Sequence, residues 1–196
     1  MSANDILPWG SPLGGHIQVS YAPMKSGETF RVGEPVSIDN TGNLTESGSD
    51  PVPMDFAGIA LAPAGYSRNG TAVSLNPVTG ANFAAGDNVP FVKALPGQMF
   101  ISANFSSGGS GVTVMPLANA TADSLVGESA GMVLTSNVWF IDSGSTAART
   151  AFRIEAFLDA NKTNINWTGL PAAYVVVSVI QSAYLPITSA TMVAIA

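Results

Sequence analysis

Short apolar runs, each only a few residues long, alternate with turn residues along most of the chain. Residues 17–21 (IQVSY) alternate apolar and polar, and 29–32 and 35–38 follow as brief runs. Residues 56–61 read FAGIAL, and 71–75, 89–94, 99–105 and 111–116 continue the series. Further on come 132–136, 138–141 and 151–158, the last setting Phe152 and Ile154 against Arg153 and Glu155. A period of two is the spacing of a half-buried strand. The runs are punctuated by Lys25-Ser26-Gly27-Glu28, Asp39-Asn40-Thr41-Gly42, Leu95-Pro96-Gly97-Gln98 and Asp142-Ser143-Gly144. Asp and Asn supply local side-chain bonds in such turns, and Gly supplies positive φ. Residues 43–45 return after the Asp39 turn as a hairpin strand. The best helical segment is 119–125; 146–150 reads as one helical turn or a loop, and 161–166 as a polar loop. Many short strands spaced roughly 8–12 residues apart predict a mostly β chain, a β-barrel or a β-sandwich.

The two ends depart from this pattern. Residues 1–15 read as an extended N-terminal arm, because Pro8, Gly10, Pro12, Gly14 and Gly15 resist regular structure. The arm nonetheless carries Ile6, Leu7, Trp9 and Leu13, and so is expected to lie in a groove, on this chain or on a partner. Residues 16–196 form the β domain, as one body or as two packed units, 16–115 and 116–196. The apolar C-terminal segment, 170–196, is the one membrane candidate. A spanning helix needs about 20 predominantly apolar residues. Pro186 interrupts the segment, Ser178, Gln181, Ser182, Thr188, Ser189 and Thr191 dilute it, and Trp167 stands at its start. Its Val, Ile, Tyr and Thr favour buried strands, so no membrane association is expected.

Composition narrows the function. The net charge is −6, and the seven basic residues are scattered singly, which argues against a nucleic-acid partner. There is no cysteine, hence no disulfide framework and no thiolate metal site. The opening MSANDILPWG lacks the basic start and apolar run of a signal peptide. Synthesis in a reducing cytoplasm is expected, and the six Asn-x-Ser/Thr sequons then read as a by-product of an Asn/Thr/Ser-rich surface.

A catalytic site needs convergent polar groups of tuned pKa. His16 is the sole histidine, and no Gly-x-Ser-x-Gly elbow accompanies it. Asp39–Asn43 lacks the acid alternation and terminal Glu of a calcium loop. Gly108-Gly109-Ser110-Gly111 lacks the following Lys-Ser/Thr of a phosphate loop. Trp9, Trp139 and Trp167 are candidates for a sugar platform, although such residues more often serve as core or interface anchors. The expectation is a protein that is not an enzyme and holds no cofactor or metal.

Two stretches carry a family resemblance. Residues 30–65 contain Gly33, Glu34 and Val36 at a strand entry, then a hairpin, then Gly58-Ile59-Ala60. Residues 127–157 contain Trp139, Phe140 and Asp142, then Phe152 and Ile154. Together they resemble the capsid decoration (cement) proteins of tailed bacteriophages. The resemblance implies a β-barrel or β-tulip core, usually a homotrimer at local threefold positions, clamping neighbouring major capsid subunits. The expected role is a structural virion protein on the capsid exterior, made in the host cytoplasm, with the major capsid protein as partner. Ile6, Leu7, Trp9 and Leu13 are its expected gripping residues. The alternatives are a phage fibre or tail-associated carbohydrate-binding module and, behind it, a hydrolase using Asp and Glu.

Overall fold

The computed structural model describes residues 6–10, 17–61, 85–108, 114–180 and 182. Among them are twelve strands: β1 (Leu7–Gly10), β2 (Val19–Pro23), β3 (Pro35–Ile38), β4 (Leu44–Glu46), β5 (Gly58–Ala60), β6 (Asn88–Lys93), β7 (Met99–Ser102), β8 (Phe105–Ser106), β9 (Ser129–Thr135), β10 (Val138–Asp142), β11 (Phe152–Leu158) and β12 (Tyr174–Val179). Two short helices, α1 (Asn119–Leu125) and α2 (Ile165–Thr168), precede β9 and β12. The strands form a seven-stranded sheet, ordered β1-β7-β12-β11-β9-β10-β8, and a five-stranded sheet, ordered β2-β6-β5-β3-β4. All pairings are antiparallel except β8 with β10. The architecture is therefore mostly β and sandwich-like, the second of the two architectures that the strand spacing predicted.

Alternation sends one set of side chains from each sheet into a shared core. Phe56, Ile59, Val92 and Ala94 from the smaller sheet meet Phe100, Trp139, Phe152, Ile154, Val175, Val177 and Val179 from the larger. Phe56, Phe100 and Phe152 form an edge-to-face trio with centroids 5.3–6.4 Å apart. Each fully buried Phe contributes about 1.5–3 kcal/mol relative to an exposed one. The five-stranded sheet is apolar on its other face too, where Ala22, Met24, Phe30, Val36, Leu44, Ala60, Val89 and Phe91 cluster. This two-sided burial explains why β5 is the compact apolar run Gly58-Ile59-Ala60.

Several expectations are corrected. Residues 29–32 are not a strand: the Arg31 backbone N–H donates to the Glu34 carboxylate at 2.8 Å, so a side chain takes the bond that a ladder would use. The Arg31 guanidinium pairs with buried Glu34 and donates to the Asn137 carbonyl, tying this turn to the β9–β10 hairpin. Residues 99–105 are split into β7 and β8, because the Ser102 hydroxyl bonds the backbone of Asn104. Residues 114–116 are not a strand. Residues 161–166 are a loop only in part, since Ile165 begins α2, and Trp167 sits on that helix rather than in an apolar tail. Pro8 and Gly10 do not prevent a strand: β1 lies at the sheet edge, where a missing N–H is tolerated, with a bulge between them. Sheet membership does not divide at residue 115, because β7 and β8 belong with β9–β12. The segment from residue 170 contributes the buried strand β12, and among the described residues no helix is long and apolar enough to cross a membrane. Residues 71–75, 111–113 and 183–196 lie outside the described residues.

Candidate functional site

The N-terminal residues singled out in the sequence can be followed one by one. Ile6 is fully buried in the inter-sheet core, and its N–H donates to the Gly33 carbonyl at 3.2 Å. Leu7 pairs with Ile101 of β7 and points to the opposite, outer face of the seven-stranded sheet. Trp9 occupies the bulge and is 40% exposed. Leu13 and His16 lie outside the described residues. The groove that holds residues 6–10 is thus one on this chain. At its far end the buried Gln98 side chain donates to the Gly10 carbonyl at 2.9 Å.

Leu7 is part of a small outer cluster with Met99, Ile101, Ala156, Leu158, Tyr174 and Val176. The run Val175-Val176-Val177 supplies both faces in turn: Val175 and Val177 go to the core and Val176 to the outer cluster. The cluster ends at a cation clamped by two rings. Lys162 Nζ lies 5.7 Å from the centroid of Trp9 and 5.7 Å from that of Tyr174. Each such contact is worth about 0.5–1 kcal/mol at an exposed site.

A tight loop aims Lys162. Asp159 Oδ1 accepts the N–H groups of Asn161 and Thr163, and Lys162 itself adopts φ 61°. These two backbone bonds hold the Asp159 carboxyl below the usual carboxylate range, the one from Thr163 contributing most, against desolvation. The Asp39 turn has the same build. Its Oδ1 accepts from the N–H groups of Thr41 and Asn43 and from the Thr41 hydroxyl, with Gly42 at φ 86° in the place of Lys162. The Thr41 hydroxyl foremost, then the Asn43 N–H, lowers Asp39 to about 2.

A polar cleft of about 180 Å³ opens at the other end of the seven-stranded sheet, lined by Asp50, Val133, Asp142, Gly144, Ser145, Thr146 and Arg149. Its groups are committed to one another. Asp142 accepts from the Gly144 N–H at 3.3 Å and from the Ser145 hydroxyl at 3.2 Å. Arg149 pairs with the Asp50 carboxylate at 3.0 Å and donates to its carbonyl. Gly131 permits the close approach, since a Cβ there would lie 2.4 Å from Ser145 Oγ and 2.6 Å from the Arg149 carbonyl. The Ser145–Asp142 bond joins the loop after β10 to the strand that precedes it. Among the described residues no three His, Cys, Asp or Glu side chains gather to hold a metal ion.

The three tryptophans do not form a platform. Trp139 is wholly buried, Trp9 lies under Lys162, and Trp167 stands alone at 83% exposure. The sequence reading missed Lys162, Tyr174 and the Asp159 loop. A signal was present in the likeness of Asp159-Ala160-Asn161-Lys162-Thr163 to Asp39-Asn40-Thr41-Gly42-Asn43. Comparison with known proteins returned no match: no family model, no curated protein and no solved structure.

Proposed function

We propose that the protein is a structural virion component that binds, as a homotrimer, the outside of an assembled phage capsid and stabilises it by bridging major capsid subunits. The observation that carries this reading is the outer face of the seven-stranded sheet. There Trp9, 40% exposed on the edge strand β1, lies across Lys162 from Tyr174, and half-buried Leu7, Met99 and Tyr174 flank the buried Ile101, Leu158 and Val176. A face of this kind, on a sandwich cross-packed by aromatic rings, suits a protein whose work is to bury surface across a seam. Scarce charge favours contacts that are apolar and only weakly dependent on salt.

Co-sedimentation tests the proposal. Shells assembled from the major capsid protein encoded in the same genome should carry this protein down, and unassembled subunits should not. Trp9→Ala should weaken the binding at least tenfold with the fold intact. Full binding by Trp9→Ala would remove the outer face from the contact, and no binding to shells would reject the role.

A further inference from the structure

We infer that the open edge of β2 is a self-association surface, where a second copy of this chain lays its own β2 antiparallel and extends the five-stranded sheet across a twofold axis. Strands β2 and β4 end that sheet, and β1 and β8 end the larger one. An unpaired edge is a template for another chain, and proteins blunt the edges they do not use. On β4 the Leu44 carbonyl accepts from the Lys25 N–H at 3.0 Å, and the Glu46 N–H donates to the Glu28 carboxylate. On β8 the Phe105 carbonyl accepts from the Val114 N–H at 2.9 Å. Strand β1 carries Pro8 and a bulge. Strand β2 is left plain: residues 17–23 read IQVSYAP, without a charge and with proline only at the end. Pairing within the sheet shows which groups are unused. The Pro90 carbonyl accepts from the Leu61 N–H at 3.0 Å, and the Ala94 N–H donates to the Ala57 carbonyl at 2.9 Å. Pro90, Val92 and Ala94 therefore turn their backbone groups toward β5, and Val89 and Phe91 turn theirs toward β2. Phe91 pairs with Ser20 and Val89 with Ala22, so the N–H and C=O groups of Val19 and Tyr21 point to the open side. Among the described residues no strand pairs with them there. Their side chains share the face of core residue Val92, yet are 45% and 66% exposed, so that face runs past the cover of the larger sheet. A second β2 is complementary to this edge. With the axis at Ser20, Val19 of each copy exchanges both backbone bonds with Tyr21 of the other, and every edge-facing group of the two residues is used. The same register sets a β-branched side chain against an aromatic ring on each side of the axis. This twofold contact is separate from the threefold contact of the proposed homotrimer and does not rest on the capsid reading.

The test is mild oxidation of Ser20→Cys in the full chain, where it is the sole thiol. Across the axis Ser20 faces its own counterpart in a pair without mutual hydrogen bonds, and the Cα separation of such a pair, about 4.5 Å, suits a disulfide. A covalent dimer should form at least tenfold faster than from Ser124→Cys, an exposed position on α1. Val19→Lys, added to Ser20→Cys, should slow the cross-link at least tenfold with the circular dichroism unchanged, because the side chain at 19 is exposed and its backbone groups do not serve the ladder with β6. The parent chain gives a second reading by amide hydrogen exchange. Val19 and Tyr21 should exchange more slowly as protein concentration rises, whereas Ser20 and Ala22 are slow at every concentration. Equal cross-linking of Ser20→Cys and Ser124→Cys, or a cross-link indifferent to Val19→Lys, overturns the inference, as does exchange at Val19 and Tyr21 that ignores concentration. A trimer by sedimentation that yields no Ser20→Cys cross-link also overturns it and leaves the trimer standing. A Val19-dependent dimer with no threefold species supports it and removes the trimer from the capsid reading.

Discussion

Phe152→Leu is the sharpest probe of how the two sheets are held together. Phe152 is fully buried on β11, with its ring 5.3 Å from Phe56 and 6.3 Å from Phe100. Phe56 belongs to the five-stranded side and Phe100 to β7, so the trio bridges the interface. Leucine keeps the site apolar but removes two edge-to-face contacts, each worth about 0.5–1.5 kcal/mol. With a residual cavity the expected loss is about 2–4 kcal/mol. For a chain of this size that lowers Tm by roughly 4–16 °C, at ~2–4 °C per kcal/mol. Urea unfolding followed by tryptophan fluorescence reads the change, because Trp139 passes from complete burial to water. In a cycle with Phe56→Leu, the two substitutions should couple by about 0.5–1.5 kcal/mol. A loss under about 0.5 kcal/mol, or additivity within about 0.3 kcal/mol, would show that the rings do not bridge the sheets as described.

Three further substitutions address local features. Gly58→Ala places a Cβ 2.1 Å from the Val92 carbonyl oxygen in the middle of the five-stranded sheet; we expect a loss of about 2–4 kcal/mol or failure to fold, and a variant melting like the parent contradicts that packing. Arg31→Met removes the guanidinium that pairs with Glu34, which is 2% exposed, and should cost about 1–3 kcal/mol in urea unfolding, a cost that Glu34→Gln in the same chain partly restores. Asp39 titrates lower in the folded state, at about 2, than its ordinary 3.8. Its contribution is therefore complete above about pH 4 and fades as the pH falls through about 2. Asp39→Asn should flatten the urea midpoint across that window, and an unchanged pH slope would contradict the hydrogen-bonded turn.

Local chemistry was legible in the sequence where it decided the structure by itself. Residues 35–38 and 119–125 emerge as β3 and α1 with the same bounds, and Asp39-Asn40-Thr41-Gly42 is a turn. The Asp159 loop was harder to see because Lys162, not glycine, takes its left-handed position. Residues 29–32 have strand composition, but Glu34 competes for their backbone, and no periodicity reports such a bond. Strand β1 was hidden by Pro8 and Gly10, which an edge strand with a bulge accommodates. The sheet order rests on distant pairings such as Leu7 with Ile101, which local spacing does not encode. Of the candidate residues, Ile6 reads as apolar in the sequence, but its burial in the core rather than on a partner depends on those same pairings. Lys162 between Trp9 and Tyr174 joins three separate segments, and so was invisible one residue at a time.

Cementing of a shell is tested most directly by calorimetry of undecorated capsids with and without added protein. A ligand that binds only the assembled state stabilises each site by RT ln(1 + [L]/Kd), about 2.7 kcal/mol at a hundredfold excess over Kd. Many sites act on one particle, so the shell transition should move upward by several degrees and level off once the sites are full. Moderate salt should change the shift only slightly. Binding that saturates while the shell transition stays in place would contradict the cementing role, as would a shift reproduced equally by Trp9→Ala.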